Sequence, residues 1–512
     1  MRGWDAARVA HAAGAKLIAE PSPGVVSSQG VASSAGVASA AKGGESGPKR
    51  AVIDSREVGS GDLFIGLRGE HLDGGEYGVQ ALAAGAWGVL VAPEYAERAL
   101  AGALAGPGGA VLVHPDPLAG LQALARAWRR ELGAAGMRVV AVTGSTGKTS
   151  TKDILAAVLG GRLRTVASAE NLNTEIGLPL SVLAAPAGTE ALVLEMAMRG
   201  AGQIAELTEI AEPEVGVIVN IGPVHLELLG SLRAIAAAKA ELIAGMAAGT
   251  TMVVPVDEPL LEPHRRGDMN TVTFGAGGDV ELVEQRTDGE VVIAAGTEQL
   301  GLRPSFVQPH NLSNLLAAVA AARALGITPE GRLEVRFSAL RGERIALPGG
   351  ITLINDCYNA NPMSMRAAID DLSSVAPARR LAVLGDMLEL GPEAGPGLHR
   401  EVAAHAAARG VEVLVTVGPL AAAMAGEAFG GETHAVPDAE AAAELLGVLL
   451  REGDTVLVKG SRGVGLERVA RALVAEGQAH GSGSISARSA ERGERGSDRG
   501  PTRGSDRSAG RR

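Results

Sequence analysis

The sequence is short of residues that several classes of protein require. It has one cysteine, Cys357, in 512 residues, so it has no internal disulfide framework and suits a reducing compartment. Aromatic residues make up 2% of the chain, which argues against surfaces that stack on nucleic-acid bases. No uncharged apolar run reaches membrane-spanning length, and charges in the first twenty residues argue against a signal peptide. We therefore expect a soluble, cytoplasmic protein without membrane insertion.

Charge is distributed unevenly along the chain. The formal net charge is −11, although residues 479–512 form a basic tail rich in Arg, Ser and Gly. The remaining body is therefore more acidic than the total, which argues against a general nucleic-acid binder. We predict that this tail is disordered because it has too few apolar residues to pack. We also predict disorder for a Ser/Gly/Ala-rich insertion at about 21–50, which has little hydrophobic periodicity. The tail could contact acidic partners, but a solvated extension is the simpler interpretation.

Between these two segments, short β-rich runs alternate with Ala/Leu-rich helical stretches. The runs are VVAVTG, ALVLEMA, VGVIVNIG, TMVVPVD, ITLINDC, LAVLGDM, EVLVTVG and TVLVKGS. Strands that are apolar on both faces and alternate with helices are typical of parallel sheets covered by helices, so we predict an α/β fold. The predicted domains are 1–136, 137–337 and 338–478, followed by the tail at 479–512.

The segment RVVAVTGSTGKTSTKDILAAVLG predicts a strand, a tight turn and a helix, the context of a phosphate-binding loop. The usual first glycine is missing, because Val142 stands in its place and Gly144 is the nearest upstream glycine. Backbone N–H groups of the turn would surround phosphates, Lys148 would neutralise their charge, and the Thr149 hydroxyl would bind Mg²⁺. The competing interpretation is a glycine-rich turn that merely carries a lysine.

Two later segments place polar side chains after predicted strands. EALVLEMA ends near Glu195, and VGVIVNIGPVH brings His225 just past its strand. Ligands collect at the carboxyl edge of parallel strands, so Glu195, His225 and Lys148 are predicted to converge and to suit a second divalent ion. Each residue also has an ordinary interpretation, as a carboxylate at the sheet edge and a histidine in a turn.

Further candidates lie on predicted helices. Lys239, in SLRAIAAAKAELIAGM, reads from the residues alone as a surface lysine. In QPHNLSNLLAAVAAA, the amides of Asn311 and Asn314 could pair with adenine, although Asn311 could equally cap the helix. No N-K-x-D motif that reads guanine occurs, so ATP is the expected nucleotide.

Several segments together resemble the ATP-dependent Mur ligases of peptidoglycan assembly, whose phosphate loop is shortened in the same way. These are TGSTGKTSTKD, NLNTEIGLPLSVL, VLEMAMRGAGQI, GPVHLELLGS, AAKAELI and HNLSNLLAAVA. DSREVGSGDLFIGLRGEHLDG resembles the uridine-nucleotide-binding domain of two family members. INDCYNANPMSM and VLGDMLELG look like the member that adds D-alanyl-D-alanine, and the D-N-P-R type motif of a diamino-acid-adding enzyme is missing.

The resemblance implies a three-domain architecture: a smaller N-terminal α/β domain that binds UDP-sugar peptide, a central P-loop domain with a parallel sheet, and a C-terminal Rossmann-like domain. The implied reaction joins UDP-N-acetylmuramoyl-tripeptide and D-alanyl-D-alanine at the cost of ATP, with an acyl phosphate as intermediate. It also implies two Mg²⁺ ions and a carbamylated lysine at Lys239, which reverses the preference for a surface lysine. We expect a monomer that uses these small-molecule substrates and no nucleic acid.

Site residues follow from the matching motifs, position by position. ATP would be bound by Gly144, Ser145, Thr146, Gly147, Lys148, Thr149, Ser150, Asn314, Arg341 and Asp356. The catalytic group would be Lys148, Glu195, His225 and Lys239, and the metal ligands Thr149, Glu195, His225 and Lys239. Substrates would be bound by Ser55, Arg56, Asn173, Thr174, Tyr358, Asn359, Asn361, Lys459, Ser461 and Arg462.

Some positions depart from the family pattern, and other functions remain open. The insertion at 21–50 and the basic tail have no clear counterpart, and Arg344 competes with Arg341 as the arginine that reaches ATP. The alternatives are a diamino-acid-adding Mur ligase, a folylpolyglutamate synthase, and a P-loop kinase or regulatory ATPase that makes no peptide bond.

Overall fold

A computed structural model describes residues 1, 3–20, 47–169, 171–375 and 379–475 of the chain. The predicted tail and residues 21–46 of the predicted insertion lie outside these ranges. The chain divides into two compact units, the first formed by Met1–Ser338 with Glu389–Gly391 and the second by Ala339–Leu388 with the chain from Pro392 onward. The first unit contains two β-sheets and the second contains one.

The first sheet has five strands in the order β1-β5-β4-β3-β2, parallel except for β1. Its strands are β1 (Lys16–Ala19), β2 (Ala51–Val52), β3 (Leu63–Ile65), β4 (Gly88–Val91) and β5 (Ala110–Val113). Its helices are α1 (Ala6–Ala12), α2 (Gly78–Ala83), α3 (Ala96–Ala105) and α4 (Pro117–Ala134). The inner strands β3 and β4 are buried along their whole length, as expected for a parallel sheet covered by helices.

The central sheet has ten strands in the order β15-β14-β13-β12-β11-β10-β9-β6-β8-β7. They are β6 (Arg138–Thr143), β7 (Thr165–Ala167), β8 (Ala191–Glu195), β9 (Val215–Ile218), β10 (Thr251–Pro255), β11 (Asn270–Phe274), β12 (Val280–Gln285), β13 (Val291–Ala295), β14 (Glu298–Pro304) and β15 (Gly331–Leu333). The helices are α5 (Lys148–Gly160), α6 (Gly177–Ala184), α7 (Gln203–Ala211), α8 (Leu226–Leu229), α9 (Leu232–Gly245) and α10 (Pro309–Ala324).

The sheet of the second unit has six strands in the order β16-β17-β21-β18-β19-β20, parallel except for β16. They are β16 (Glu343–Ala346), β17 (Thr352–Asn355), β18 (Arg380–Gly385), β19 (Val413–Val417), β20 (Glu432–Val436) and β21 (Thr455–Lys459). The helices are α11 (Pro362–Ser374), α12 (Gly391–Ala408) and α13 (Ala439–Leu449), and a further helix covers 467–475.

Helix α4 joins the two sheets of the first unit. Trp128 packs edge-on against Trp4 of the N-terminal segment and donates its indole N–H to the Ala185 carbonyl at 3.0 Å. Arg129, which is 7% exposed, donates to the Ala211 carbonyl at 2.8 Å and so satisfies a carbonyl at the end of α7. Helix α4 therefore contacts both the N-terminal segment and helices of the central sheet. These contacts explain why both sheets fall in one compact unit.

The strands predicted from the sequence are all present, and the α/β fold is confirmed. The antiparallel meander β12-β13-β14 inside the central sheet was not predicted. Strand β12, which lies between β11 and β13, is mostly exposed, so it lacks the apolar run that marks the buried parallel strands. None of the described helices has both the length and the apolar composition needed to cross a membrane.

Candidate active site

The phosphate-loop segment lies at the carboxyl end of β6, between the two strands that pair with it, β8 and β9. The strand ends at Thr143, and α5 begins at Lys148. Gly147 has a φ of +78°, and a Cβ there would lie 2.7 Å from the Asn314 side-chain oxygen. Only glycine suits this position, because a side chain would be strained and would meet a buried amide. The strand–turn–helix context predicted for the loop is confirmed.

Hydrogen bonds to the chain after β9 hold the loop in shape. The Asn220 side chain accepts from the Thr146 N–H at 2.9 Å and donates to the Thr146 carbonyl at 3.1 Å. Ser145 Oγ donates to the Gly222 carbonyl at 3.0 Å and accepts from the Gly222 N–H at 2.9 Å. Lys148 Nζ lies within the turn, where it donates to the Gly144 carbonyl at 3.0 Å. These paired bonds fix the backbone that a phosphate group would contact.

Glu195 ends β8 beside the loop and is 2% exposed. Its carboxylate accepts from Thr149 Oγ1 at 2.8 Å and from Asn173 Nδ2 at 3.0 Å. Thr174 lies next to Asn173, and its hydroxyl accepts from the Gly177 N–H at the start of α6 at 3.5 Å. The structure thus brings the predicted Thr149, Glu195 and Asn173 into direct contact.

Three nitrogen bases share this edge of the sheet. Burial, and then the charge of Lys148, lowers the pKa of Lys239 well below the usual range of a lysine. Burial also lowers the pKa of His225, against the opposing effect of the Glu389 carboxylate, and Lys148 and Lys239 lower it further. Lys148, Lys239 and His225 are therefore close enough to interact, and the charged form of each disfavours the charged form of its neighbours.

Lys239 is 2% exposed on α9, so the interpretation as a surface lysine is wrong. His225 has a φ of +53°, in the left-handed region that residues other than glycine seldom adopt. A strained backbone of this kind costs on the order of 1 kcal/mol and is commonly kept where a side chain must point in one direction.

The donor atoms fit Mg²⁺ only in part. Within the described residues, no group of three His, Cys, Asp or Glu side chains could hold a metal ion. The Thr149 hydroxyl and the Glu195 carboxylate are oxygen donors in contact with each other, and Mg²⁺ typically takes one or two protein oxygens together with phosphate and water. The ammonium form of Lys239 does not fit a metal site, because a cation repels a cation.

The predicted adenine-side residues lie on α10. The helix begins at Pro309 after Gln308, so Asn311 is inside the helix and the interpretation as its cap is wrong. Asn311 and Asn314 are both buried, and Asn314 Nδ2 donates to Asn311 Oδ1 at 3.4 Å. A Cβ on Gly147 would lie 2.7 Å from Asn314 Oδ1, so the Asn314 side chain lies against the phosphate loop.

Ser55 and Arg56 lie in the turn after β2, an edge strand of the first sheet. The Arg56 guanidinium forms a two-pronged pair with Asp54, with N···O distances of 2.9 and 2.6 Å, and holds the pKa of Asp54 at about 2. The pair lies on the surface, and its hydrogen bonds do not reach the central sheet.

In the second unit, the predicted residues gather at the carboxyl edge of β17, β18 and β21. Lys459 Nζ donates to the Asp356 carboxylate at 2.7 Å and to the Asn359 carbonyl at 2.9 Å. Ser461 Oγ accepts from the Leu388 N–H at 2.9 Å, and the Ser461 N–H donates to the Asp386 carbonyl. Lys459 is 2% exposed, so its charge is balanced inside this cluster.

Arg341 and Arg344 have different surroundings. Arg344 pairs with Asp371 at 2.7 Å. The Arg341 guanidinium lies 4.1 Å from the centre of the Tyr358 ring, and its buried Nε is among the described atoms without a hydrogen-bond partner. The Arg462 guanidinium lies 5.9 Å from the centre of the same ring. Arg341 is the better candidate for binding a ligand, because Arg344 already has a carboxylate partner.

Asn361 has a structural role. Its side chain accepts from the Ser364 N–H at 2.9 Å, while Ser364 Oγ accepts from the Asn361 N–H at 3.0 Å. This reciprocal capping box begins helix α11. Asn361 was predicted to bind substrate, and its side-chain oxygen caps this helix.

Comparison with known proteins gives the chain its family. The Mur ligase middle domain matches residues 142–322, and the Mur ligase glutamate ligase domain matches residues 340–462. The UDP-N-acetylmuramoyl-tripeptide--D-alanyl-D-alanine ligase of Bacillus subtilis is 37% identical over 437 residues, covering 83% of this chain and 92% of the relative. The chain belongs to the Mur ligase family.

Two solved structures resemble this Mur ligase along most of its length. A crystal structure of MurF from Acinetobacter baumannii has a TM-score of 0.72 and 28% identity, covering 83% of this chain and 93% of that one. The MurF ligase of Thermotoga maritima in complex with ADP has a TM-score of 0.71 and 30% identity, covering 84% and 98%. The three-domain Mur ligase architecture predicted from the sequence is confirmed.

Three polar groups of this Mur ligase were not predicted from the sequence. Asn220 follows β9 at the same sheet edge as His225, a position that could have drawn attention to it. Glu389, which belongs to the first unit, contacts His225 Nδ1 and lies in VLGDMLELG, a segment that was matched to the family without a role for this residue. His399 is fully buried on α12 of the second unit.

His399 fixes the chain after β18 through both ring nitrogens. The Met387 N–H donates to Nε2 at 3.0 Å, so Nε2 carries no proton and Nδ1 donates to the Gly395 carbonyl at 2.7 Å. Burial lowers the pKa of His399. A proton on Nε2 would place two donors against each other, so the fold requires the neutral ring.

We expect the second unit to lose stability in mild acid because of His399. Its pKa is lower in the folded than in the unfolded chain, so the unfolded chain binds more protons. The stabilisation is complete above the unfolded pKa near 6.5 and is lost as the pH falls below it. Melting temperatures measured between pH 7.5 and 5.5 should fall less for His399→Gln than for the unsubstituted chain. Parallel falls would show that another group controls the acid sensitivity.

Proposed function

We propose that this Mur ligase joins D-alanyl-D-alanine to UDP-N-acetylmuramoyl-tripeptide, with ATP converted to ADP and phosphate, as a step of peptidoglycan precursor synthesis. The observation that carries the proposal is the contact between Thr149 of the phosphate loop and Glu195 at the edge of the same sheet. The name of the relative from Bacillus subtilis supplies the substrates.

The proposed chemistry starts from the poor reactivity of a carboxylate toward an amine. The terminal carboxylate of the tripeptide attacks the γ-phosphorus of ATP, ADP leaves, and an acyl phosphate is formed. The amine of D-alanyl-D-alanine then attacks the acyl carbon, and phosphate leaves as the amide bond forms. Lys148 and the N–H groups at the start of α5 would stabilise the charge on the transferring phosphoryl group.

Residues of the first unit would hold Mg²⁺. Glu195 and Thr149 supply oxygen donors, and His225 supplies a neutral imidazole, because burial disfavours its charged form. When bound, Mg²⁺ neutralises phosphate charge and orients the transferred group. Asn173 would keep the Glu195 carboxylate turned toward the loop. We propose that the site holds two Mg²⁺ ions, because Thr149, Glu195 and His225 offer several separate metal ligands.

Lys239 is proposed to become an anion by carbamylation. Its neutral amine attacks CO₂, a C–N bond forms, and one proton is released, which leaves a carbamate with one negative charge. The lowered pKa of Lys239 favours the neutral amine that this reaction needs. The modification would replace a cation beside Lys148 and His225 with a group that attracts Mg²⁺.

The remaining assignments belong to the same proposal. Residues 1–136, with Ser55 and Arg56, would bind the UDP-sugar peptide, and 137–337 would bind ATP, with Asn314 near the adenine. Residues 338–478 would supply Arg341 and Asp356 for ATP, with the substrate contacts Tyr358, Asn359, Lys459, Ser461 and Arg462. We propose a cytoplasmic monomer.

Phosphate release measured in the presence and absence of each substrate tests the function. We expect sustained release only when ATP, UDP-N-acetylmuramoyl-tripeptide and D-alanyl-D-alanine are all present. Release with ATP alone would indicate an ATPase, and release with glutamate and a folate or with a diamino acid and a UDP-dipeptide would indicate another ligase of this superfamily.

A further inference from the structure

Helix α5 carries a second lysine that the reaction described above does not use. Lys152 lies one turn after Lys148 and is 2% exposed. A buried ammonium is costly unless it is paired and hydrogen-bonded. Its charge is balanced by Asp153, with an Nζ···Oδ1 distance of 3.1 Å, and its bond outside the helix goes to the Ser168 carbonyl at 2.8 Å.

Ser168 connects this lysine to the end of β8. It follows β7, the edge strand of the central sheet, and is 3% exposed. Its N–H donates to the Val193 carbonyl, and its Oγ accepts from the Glu195 N–H at 3.1 Å. Ser168 therefore holds the main chain of the residue whose carboxylate contacts Thr149.

We propose that Lys152 is a positioning residue for Glu195, acting through Ser168, and so tunes the affinity of the site for a divalent cation. Lys152 fixes the carbonyl of Ser168, and the hydroxyl of Ser168 fixes the peptide N–H of Glu195. Ser168 also stands at the start of the loop that carries Asn173. Asn173 donates to Glu195 Oε1, the carboxylate oxygen that Thr149 does not contact. The inference rests on the proposed function in taking Glu195 as a metal ligand.

Two substitutions test the two links separately. Ser168→Ala removes the acceptor for the Glu195 N–H and keeps the carbonyl that Lys152 binds, whereas Ser168→Thr keeps a hydroxyl. Lys152→Met removes the ammonium. Thr151→Val is a matched control, because Thr151 is a fully buried neighbour on the same helix whose Oγ1 has no hydrogen-bond partner among the described residues.

The readout is Mn²⁺ binding by calorimetry in the presence of a non-hydrolysable ATP analogue, with the Mg²⁺ dependence of kcat and the melting temperature measured beside it. We expect Ser168→Ala and Lys152→Met to weaken Mn²⁺ binding about tenfold, as is typical when a group that orients a metal ligand is lost. Ser168→Thr should restore the affinity, and Thr151→Val should leave it unchanged.

The inference is overturned if Ser168→Ala lowers only the melting temperature while Mn²⁺ affinity and Mg²⁺ dependence match those of Thr151→Val. Should Lys152→Met fail to fold, the Ser168 pair still decides between the two results. Mn²⁺ binding is measured without turnover, so it does not depend on the proposed reaction. Failure of the proposed function would show separately, because the unsubstituted protein would then form no amide bond.

Discussion

Replacing Lys148 by alanine should lower kcat by about two to three orders of magnitude, the usual effect of removing one preorganised donor from a developing negative charge. Lys148 stands where α5 begins, and Glu195 and Thr149 lie beside it. Its contribution is largest in the transition state, because charge is then passing between the phosphorus and its leaving oxygen. The KM for the UDP-linked substrate should change little, since that substrate is proposed to bind through the first sheet.

The measurement is steady-state phosphate release, combined with binding of the UDP-linked substrate by calorimetry. Thr151→Val serves again as the control, because it alters a buried residue of the same helix without touching a charged group. Equal losses of kcat and of UDP-substrate binding would mean that Lys148 supports the structure and does not stabilise the transition state.

Replacing Lys239 by alanine should also lower kcat by at least about a hundredfold, because the site would lose an anionic group that attracts the metal. Lys239 is 2% exposed, so alanine leaves a space inside the protein that a small carboxylate can enter. We therefore expect formate or acetate to restore part of the activity of Lys239→Ala. Lys239→Met fills the space, and its activity should not respond to these anions.

Removal of bicarbonate and CO₂ tests the same group without substitution. The unsubstituted protein should lose activity in buffer depleted of CO₂ and recover it when bicarbonate is added. Full activity of Lys239→Ala, or activity independent of bicarbonate in all conditions, would contradict the carbamate. Activity of Lys239→Ala that never responds to formate would contradict the role of a carboxylate at this place.

The parts of the fold that follow from local pattern could be predicted. β6, β8 and β9 are buried on both faces, so their sequences are continuous apolar runs, and the chain after β6 has the spacing of a phosphate loop. In the meander, β12 and β14 have no such signal, because most of their positions are exposed and several carry charged or polar residues. Strand β13 is a short buried apolar run that was not singled out from the sequence.

The site was only partly predictable because burial and partners depend on the tertiary structure. Six of the fourteen residues of α9 are alanines, so no polar stripe indicates which side faces solvent. The burial of Lys239 was decided by its packing. Asn220 is a single amide whose contact with Thr146 spans 74 residues. Asn361 was assigned to substrate, whereas the proline that follows it and Ser364 favour a helix cap.

The most direct test of the account follows an oxygen atom. UDP-N-acetylmuramoyl-tripeptide labelled with ¹⁸O in its terminal carboxylate is incubated with ATP and D-alanyl-D-alanine, and both products are analysed by mass spectrometry. We predict a UDP-linked pentapeptide that has lost one labelled oxygen and inorganic phosphate that has gained it, because phosphate leaves with an oxygen of the activated carboxylate. Unlabelled phosphate, or ATP hydrolysis without pentapeptide, would contradict the account.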